Sequence, residues 1–137
     1  MLEIDELWSF VRAKAEPAWV WIALDRETRQ VVACCLGDRS EESCRFLWAQ
    51  VPAPWREAIC YTDFWEAYQA VLPDTQHVPA GKGTGETAHV ERFNNTLRQR
   101  LGQFVRKTLS FSKCDWMHWC RLKLFLYRYN LSRITPN

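Results

Sequence analysis

The first third of the chain has the hydrophobic pattern of β-strands. Apolar runs at residues 2–11, 18–24 and 30–36 are joined by polar links at 12–16 and 25–29. Runs of this length separated by short polar links predict an antiparallel arrangement of three strands. The second and third runs are apolar at successive positions, so both alternating faces are hydrophobic. We therefore expect a sheet that is covered on both sides.

The pattern then changes to helices alternating with strands. The predicted elements, in order, are helix 40–51, strand 58–62, helix 64–72 and strand 75–78. Ser40 is the expected N-cap of the first helix, and Pro52 ends it. Three strands followed by a helix–strand–helix–strand order predict an α/β fold, a mixed five-stranded sheet flanked by helices. In this sheet the fourth strand would pair in parallel with the first.

The C-terminal part of the chain predicts two longer helices after a flexible loop. Residues 81–85 contain three glycines, so this stretch is not expected to lie inside a helix or a strand. Residues 86 to about 105 form an amphipathic pattern, and residues 115–130 are apolar on almost every face. We expect the last helix to pack over the sheet. With no internal repeat and no linker, the pattern indicates a single domain over residues 1–137.

Composition excludes several classes of protein. The longest apolar runs are well short of the roughly 18–20 residues of a membrane helix, and the acidic N-terminus lacks the basic start of a secretory signal. The expectation is therefore a cytoplasmic protein. The six cysteines include no C-x-x-C pair, and two of them are adjacent. They are expected to be reduced core residues, not zinc ligands or disulfides.

The charges are divided unevenly along the chain. Residues 1–91 carry 8 Lys and Arg against 15 Asp and Glu, whereas residues 92–137 carry 10 against a single acid, Asp115. A basic C-terminal third favours a polyanionic partner such as DNA. The alternative is that these cations simply solvate helix faces. The acidic part of the chain, in contrast, could bind metal ions.

Three acids stand out as a candidate site. Asp5 lies within an apolar strand, Asp63 follows the predicted strand 58–62, and Glu91 begins a polar stripe on the helix after the glycine loop. A buried carboxylate is costly unless it is compensated, and a divalent cation is one common compensation. Oxygen ligands suit Mg²⁺ or Mn²⁺, and two such ions about 3.5–4 Å apart can promote phosphoryl transfer. Taken singly, each acid could instead form a salt bridge or a surface charge.

Four segments, in order along the chain, resemble the InsB-type transposases of insertion element one: residues 5–11, 62–68, 90–100 and 106–113. The block E-R-F-N-N-T-L-R from Glu91, followed by R-K-T-L-S-F-S-K, is the specific part of the match. The resemblance implies a ribonuclease-H-like fold with a DDE triad of Asp5, Asp63 and Glu91. It also implies Mg²⁺-dependent cleavage of element ends and transfer of the freed 3′-hydroxyl into target DNA.

Two departures from that family are visible in the sequence. Relatives are usually fused to an upstream reading frame that supplies a zinc-binding, helix-turn-helix domain, and this chain begins close to its first catalytic strand. We therefore expect an upstream-frame DNA-binding partner or fusion, and a homo-oligomer on DNA, as in other DDE enzymes. In addition, Phe93 stands where some relatives are expected to carry His. It could affect either packing or DNA contact.

The polar residues around this block are the predicted DNA contacts. They are Lys82, Arg92, Asn94, Asn95, Arg98, Arg100, Arg106, Lys107 and Lys113. His89 could help to position DNA or be an ordinary helix residue, while His77 and His118 are interpreted as structural. Two other functions stay open. One is a non-catalytic DNA-binding product that competes with the full-length transposase, and the other is a general ribonuclease-H-like nuclease.

Overall fold

A mixed five-stranded sheet lies at the centre of the computed structural model, which describes residues 1–63, 65–104 and 112–134. The strands are β1 (Leu2–Leu7), β2 (Phe10–Val11), β3 (Ala13–Pro17), β4 (Trp19–Asp25), β5 (Val31–Gly37), β6 (Cys60–Thr62) and β7 (His77–Pro79). The sheet order is β5-β4-β1-β6-β7. Strands β1, β4 and β5 are antiparallel, whereas β6 pairs in parallel with both β1 and β7. The predicted mixed sheet is confirmed, and it is consistent with the ribonuclease-H-like fold.

The segment 12–16 was predicted to be a polar link without a strand, but the structure has a strand there. Strands β2 and β3 form a separate two-stranded hairpin from residues 10–17, so the predicted strand 2–11 is divided between β1 and β2. The backbone of Ser9 exchanges two hydrogen bonds with Ala18, of 3.1 and 2.8 Å, so the pairing of β1 with β4 continues into this hairpin. Arg12 makes the reversal by adopting a φ of 63°. Residues 13–17 are exposed, and they form a strand because their backbone groups are paired with β2. The hydrophobic pattern carries no signal for such a strand.

Four α-helices flank the sheet: α1 (Glu41–Gln50), α2 (Glu66–Val71), α3 (Ala88–Arg100) and α4 (Asp115–Ile134). Ser40 caps α1 as predicted, since its hydroxyl oxygen accepts a 3.2 Å hydrogen bond from the Ser43 N–H. Helix α3 is shorter than the predicted 86–105, because Leu101 is extended and a 3-10 turn at Gly102–Phe104 follows. A second 3-10 turn, Lys82–Thr84, lies inside the glycine-rich stretch.

Hydrophobic cores lie on both faces of the sheet, as the doubly apolar strands predicted. On one face, Ile4 and Trp21 pack with Leu47 of α1 and Tyr68 of α2. The second core contains, among others, Leu7, Val20, Val90, Phe93, Leu97 and Leu122. Successive residues of β1 therefore serve different cores, and this alternation controls where its acidic side chains point.

Helix α4 packs over the sheet through one face only. His118, Leu122 and Leu126 are buried, whereas Trp116 is 72 % exposed and Tyr127 is 65 % exposed. The helix therefore packs over the sheet as expected, while several of its apolar side chains remain exposed. None of the helices in the described ranges is long and apolar enough to span a membrane.

All six cysteines are free thiols. Cys34, Cys35, Cys44 and Cys60 are buried in the cores, as expected for small apolar residues. Burial raises the pKa of the Cys34 thiol to about 11 and that of Cys60 to about 12. These thiols are therefore protonated and unreactive at neutral pH.

Candidate active site

Parallel pairing of β1 with β6 positions the two aspartates. The register joins Leu2 to Cys60 and Glu3 to Tyr61, and two further residues along each strand bring Asp5 level with Asp63. Asp63 follows the last residue of β6, at the carboxyl edge of the sheet. Its Oδ1 accepts a 2.9 Å hydrogen bond from the Trp65 N–H, which fixes the side chain where the strand ends.

Three carboxylates converge at this edge. One oxygen from each of Asp5, Glu6 and Asp63 lies within 4.8 Å of the other two. Glu6 was not predicted from the sequence, because neighbouring residues of a strand point to opposite faces. The sequence does contain one indication of its role, since Asp5 and Glu6 are consecutive acids inside an apolar strand. Glu6 is the more deeply buried of the two.

Glu6 is already compensated by protein groups. The Tyr68 hydroxyl donates a hydrogen bond to its Oε2, and Arg39 Nε donates one of 3.0 Å to its Oε1. The Arg39 guanidinium lies 4.0 Å from the centroid of the Trp65 ring. Burial raises the pKa of Glu6, while the bonds from Tyr68 and Arg39 lower it. Both oxygens of this carboxylate therefore have partners without any metal ion.

Glu91 approaches the cluster from helix α3 but is not one of its members among the described residues. Its Oε1 accepts a 2.9 Å hydrogen bond from the Thr87 hydroxyl, one turn earlier. The negative charge of Glu91 is one of the influences that raise the pKa of Asp5. The fold thus brings Asp5 and Asp63 together and holds Glu91 on the helix beside them.

Asn94 links helix α3 directly to the site. The residue is 4 % exposed, and its Nδ2 donates a 2.9 Å hydrogen bond to Asp5 Oδ2. Its Oδ1 is buried and has no hydrogen-bond partner among the described residues. A buried acceptor without a partner is costly, so a donor such as a water molecule on a bound ion would fit there.

The electrostatics of the cluster favour a cation. Burial, followed by the charge of Glu6, raises the pKa of Asp5 to about 7, and Asp63 and Glu91 act in the same direction. A divalent ion would reverse this unfavourable balance, since it is attracted to every one of these charges. Carboxylate oxygens are the ligands of hard ions such as Mg²⁺ and Mn²⁺. The cluster of Asp5, Glu6 and Asp63 therefore has the ligand chemistry of a divalent metal site, whereas Glu91, the third predicted ligand, is not among its members.

Comparison with known proteins shows the family of the chain. The model of the IS1 transposase family matches residues 1–130. The chain belongs to this family. It is 37% identical over 118 residues to the insertion element iso-IS1n protein InsB of Shigella dysenteriae, covering 85% of this chain and 86% of that protein. It is 36% identical over 116 residues to the insertion element IS1 4 protein InsB of Escherichia coli K12, covering 85% and 67%. The InsB protein of Shigella flexneri also matches at 36% over 116 residues, covering 85% and 86%.

Membership of the IS1 transposase family confirms the resemblance and connects the chain with DNA transposition. The residues predicted to contact DNA have different environments. Arg92, Asn95, Arg100 and Lys113 are exposed, Arg98 is partly exposed, Asn94 is buried, and Lys82 belongs to the 3-10 turn before α3. Arg106 and Lys107 lie outside the described residues.

Two of the histidines and the phenylalanine singled out in the sequence of this IS1 family member contact other residues of the fold. His89 Nδ1 lies 3.4 Å from Glu3 Oε2, and His77 Nε2 lies 2.6 Å from the Thr62 hydroxyl. Phe93 is buried, with its ring 4.8 Å from that of Tyr129, so its contribution is to packing.

Proposed function

We propose that this chain is the catalytic domain, over residues 1–137, of a DDE transposase that cleaves insertion-element ends and transfers them into target DNA. The observation that carries the proposal is the pairing of Asp5 and Asp63 at the carboxyl edge of two parallel strands. Family membership supports DNA as the substrate. Asp5, Asp63 and Glu91 are the proposed catalytic residues and metal ligands.

Glu91 is a better third ligand than Glu6. Both oxygens of Glu6 already accept hydrogen bonds, and Arg39 balances its charge. Glu91, in contrast, has a hydrogen bond to Thr87 at one oxygen, and that bond is readily exchanged for a metal ligand. We therefore assign Glu6 a supporting role, in which it keeps Arg39 and Tyr68 in place beside the site.

The bound metal would be Mg²⁺ or Mn²⁺, in a pair, supplying activation of the attacking oxygen and stabilisation of the leaving oxygen in an in-line displacement. The protein contributes orientation. The Trp65 N–H holds Asp63, and the Asn94 amide holds Asp5, so two ligands are fixed before any ion arrives. Hydrogen bonds of this kind reduce the reorganisation that the reaction requires.

DNA would be held by basic and amide side chains, most of them in the C-terminal part of the chain. The proposed contacts are Arg92, Asn95, Arg98, Arg100 and Lys113, together with Lys82, Arg106 and Lys107. Phosphate contacts of this kind set orientation without reading sequence. End recognition is assigned to an upstream-frame DNA-binding partner or fusion, and the active form to a homo-oligomer on DNA.

A transposition assay with the complete element tests the proposal. Asp63→Asn and Glu91→Gln should each abolish transposition, while Glu6→Gln should leave a measurable fraction. The matched controls are Asp74→Asn and Glu42→Gln, which make the same changes at exposed residues. Both controls should transpose at the unaltered rate. Normal activity in both Asp63→Asn and Glu91→Gln would refute the assignment.

Metal binding can be followed separately from activity. Mn²⁺ should raise the melting temperature of the unaltered chain and of Asp74→Asn, and should fail to do so in Asp63→Asn. DNA binding with steep salt dependence, but without cutting even in a fusion to an end-recognition domain, would instead favour the non-catalytic competitor. Cutting of RNA–DNA hybrids without element ends would favour a general nuclease.

A further inference from the structure

A wide groove lies between helices α3 and α4, apart from the carboxylate cluster. Its volume is about 770 Å³, and its floor is formed by apolar side chains such as Leu24, Phe93 and Phe125. Six arginines line it: Arg29, Arg92, Arg100, Arg121, Arg128 and Arg133. We call this feature the arginine groove. No acidic residue is among the described residues that line it.

The positive charge of the arginine groove is not balanced locally. None of its six arginines forms a salt bridge with a carboxylate in the described part of the chain. Elsewhere, Arg12, Arg26, Arg39 and Arg45 all have acidic partners. Arg29 interacts electrostatically with the buried Glu3 carboxylate, but none of the six has a carboxylate in salt-bridge contact among the described residues. Like charges that converge in this way repel one another, so a polyanion that enters the groove relieves this repulsion.

Arg29 provides an independent reason to expect a ligand. Its backbone closes the turn between β4 and β5 with a φ of 64°, because its N–H donates a 2.9 Å hydrogen bond to the Asp25 carbonyl. Its Nη1 is buried and has no hydrogen-bond partner among the described residues. A guanidinium nitrogen that is shielded from water and has no acceptor is energetically costly. An external anion would supply the acceptor that this nitrogen lacks.

We propose that the arginine groove binds the phosphate backbone of duplex DNA at a distance from the phosphate that is cleaved. This inference rests on the proposed function, in that DNA is the substrate. The arginines of α4 span twelve residues, or about 18 Å at 1.5 Å per residue. At about 3.4 Å per phosphate along one strand, that length covers roughly five phosphates. Planar guanidinium groups also match phosphate oxygens in paired hydrogen bonds.

Helix α3 separates the groove from the catalytic cluster. Asn94 on this helix binds Asp5, while Arg92 and Arg100 line the groove. DNA in the groove would therefore lie about one helix diameter, roughly 10 Å, from the acids. The four arginines Arg29, Arg121, Arg128 and Arg133 extend the DNA-contacting surface beyond the residues that the sequence suggested.

Fluorescence anisotropy with a labelled 30-base-pair duplex of arbitrary sequence tests the groove, in EDTA and at several KCl concentrations. Arg121→Gln/Arg128→Gln should weaken binding, by roughly five- to tenfold for each arginine replaced at 0.1 M salt. The slope of log affinity against log salt should become shallower by about 0.9 for each of these arginines. Arg29→Asn should weaken binding as one such replacement does, without lowering the melting temperature, because Asn tolerates the left-handed backbone.

Matched controls come from the chain itself. Arg12 also has a left-handed φ, of 63°, and is paired with Glu16 outside the groove, so Arg12→Asn repeats the backbone and charge changes of Arg29→Asn. Arg12→Asn/Arg45→Gln repeats the charge change of the α4 double variant. Affinities and salt slopes of the groove variants equal to those of these controls would overturn the proposal. So would tighter binding of a polyglutamate peptide than of DNA.

The two proposals fail separately. Because these measurements contain no divalent metal, they do not depend on Asp63 or Glu91. If Asp63→Asn still transposes, the catalytic assignment is refuted and the groove data stand. If the groove variants bind DNA like their controls, the groove proposal is refuted and the catalytic assignment is unaffected.

Discussion

The amide nitrogen of Asn94 lies 2.9 Å from Oδ2 of Asp5 and joins helix α3 to the central strand of the sheet. The contact crosses 89 residues of sequence and is buried on the helix side. Because the Asn94 Oδ1 has no partner among the described residues, the orientation of the amide is set by Asp5. Asn94 therefore acts as a positioning residue, holding a carboxylate whose burial would otherwise favour its protonated form.

Replacing Asn94 with Ala should loosen Asp5. We expect a loss of roughly 1–3 kcal/mol in the free energy of unfolding, the usual cost of an unsatisfied buried polar group. We also expect Mn²⁺ affinity to fall about 10- to 100-fold, as for other residues that orient metal ligands. Chemical denaturation and calorimetric titration measure the two effects. The exposed neighbour Asn95 provides the control, Asn95→Ala, and equal Mn²⁺ affinity in both variants would contradict the role assigned to Asn94.

The pKa of Asp5 makes the metal-free protein less stable as pH rises. Burial and the charges of Glu6, Asp63 and Glu91 raise this pKa from 3.8 to about 7. The native state therefore holds the proton more tightly than the unfolded state, and the free energy of unfolding should decrease between about pH 4 and pH 7. The decrease is at most about 1.4 kcal/mol per pH unit, and it ends above pH 7.

Asp5→Asn should reduce this pH dependence and raise stability at pH 8, by roughly 1–3 kcal/mol, while transposition is lost. The raised pKa values of Glu3 and Glu6 leave a residual slope of the same sign. Urea denaturation in EDTA across this range measures the effect, with Asp74→Asn as the control. An unchanged slope in Asp5→Asn would show that another group is responsible.

The local sequence pattern was sufficient to predict the sheet and two of the three acids in the carboxylate cluster, Asp5 and Asp63. Asp5 stood out because an acid inside an apolar strand requires compensation, and Asp63 because it ends a strand. Glu6 was missed because the alternation of side chains along a strand directs it to the face opposite Asp5. The two carboxylates come close to a third one only because Asp63 lies at the end of β6, next to both. The arginine groove was not predicted in full, since Arg29 and the α4 arginines meet only when helix α4 packs on the sheet.

Glu3 should be the acid on which the position of α3 depends most. It is fully buried, and its Oε1 accepts hydrogen bonds of 2.9 and 3.3 Å from the N–H groups of His89 and Val90. A carboxylate from β1 therefore satisfies the first turn of α3, where the partial positive charge of the helix lies. Arg26 Nε lies 3.1 Å from its other oxygen.

Glu3→Ala should cost about 3–5 kcal/mol of unfolding free energy, as when one partner of a buried ion pair is removed. Glu3→Gln keeps an acceptor for the helix and should cost less. Denaturation in urea compares both with Glu27→Ala, which removes an exposed acid. If Glu3→Ala is no more destabilising than Glu27→Ala, the capping role is wrong.

His118 should make the protein sensitive to acid. The Ser9 hydroxyl donates to the Ala18 carbonyl, so it accepts a hydrogen bond from Nε2 at 2.8 Å, and the Ser112 hydroxyl donates to Nδ1 at 2.7 Å. The ring also stacks on Phe104, with the centroids 4.1 Å apart. Burial in this neutral form lowers the pKa of His118 to about 4.

The unfolded state consequently takes up a proton at His118 before the native state does, and stability should be lost as pH falls from about 6.5 towards 4. This slope is opposite in sign to those of Asp5, Glu3 and Glu6, so the comparison is made in Asp5→Asn, where one opposing contribution is removed. Adding His118→Gln should diminish the loss of unfolding free energy between about pH 6.5 and pH 4, compared with Asp5→Asn alone, whatever its effect on absolute stability. Retention of the full acid slope in the double variant would mean that protonation of another group drives the loss, because Gln carries no group that titrates in this range.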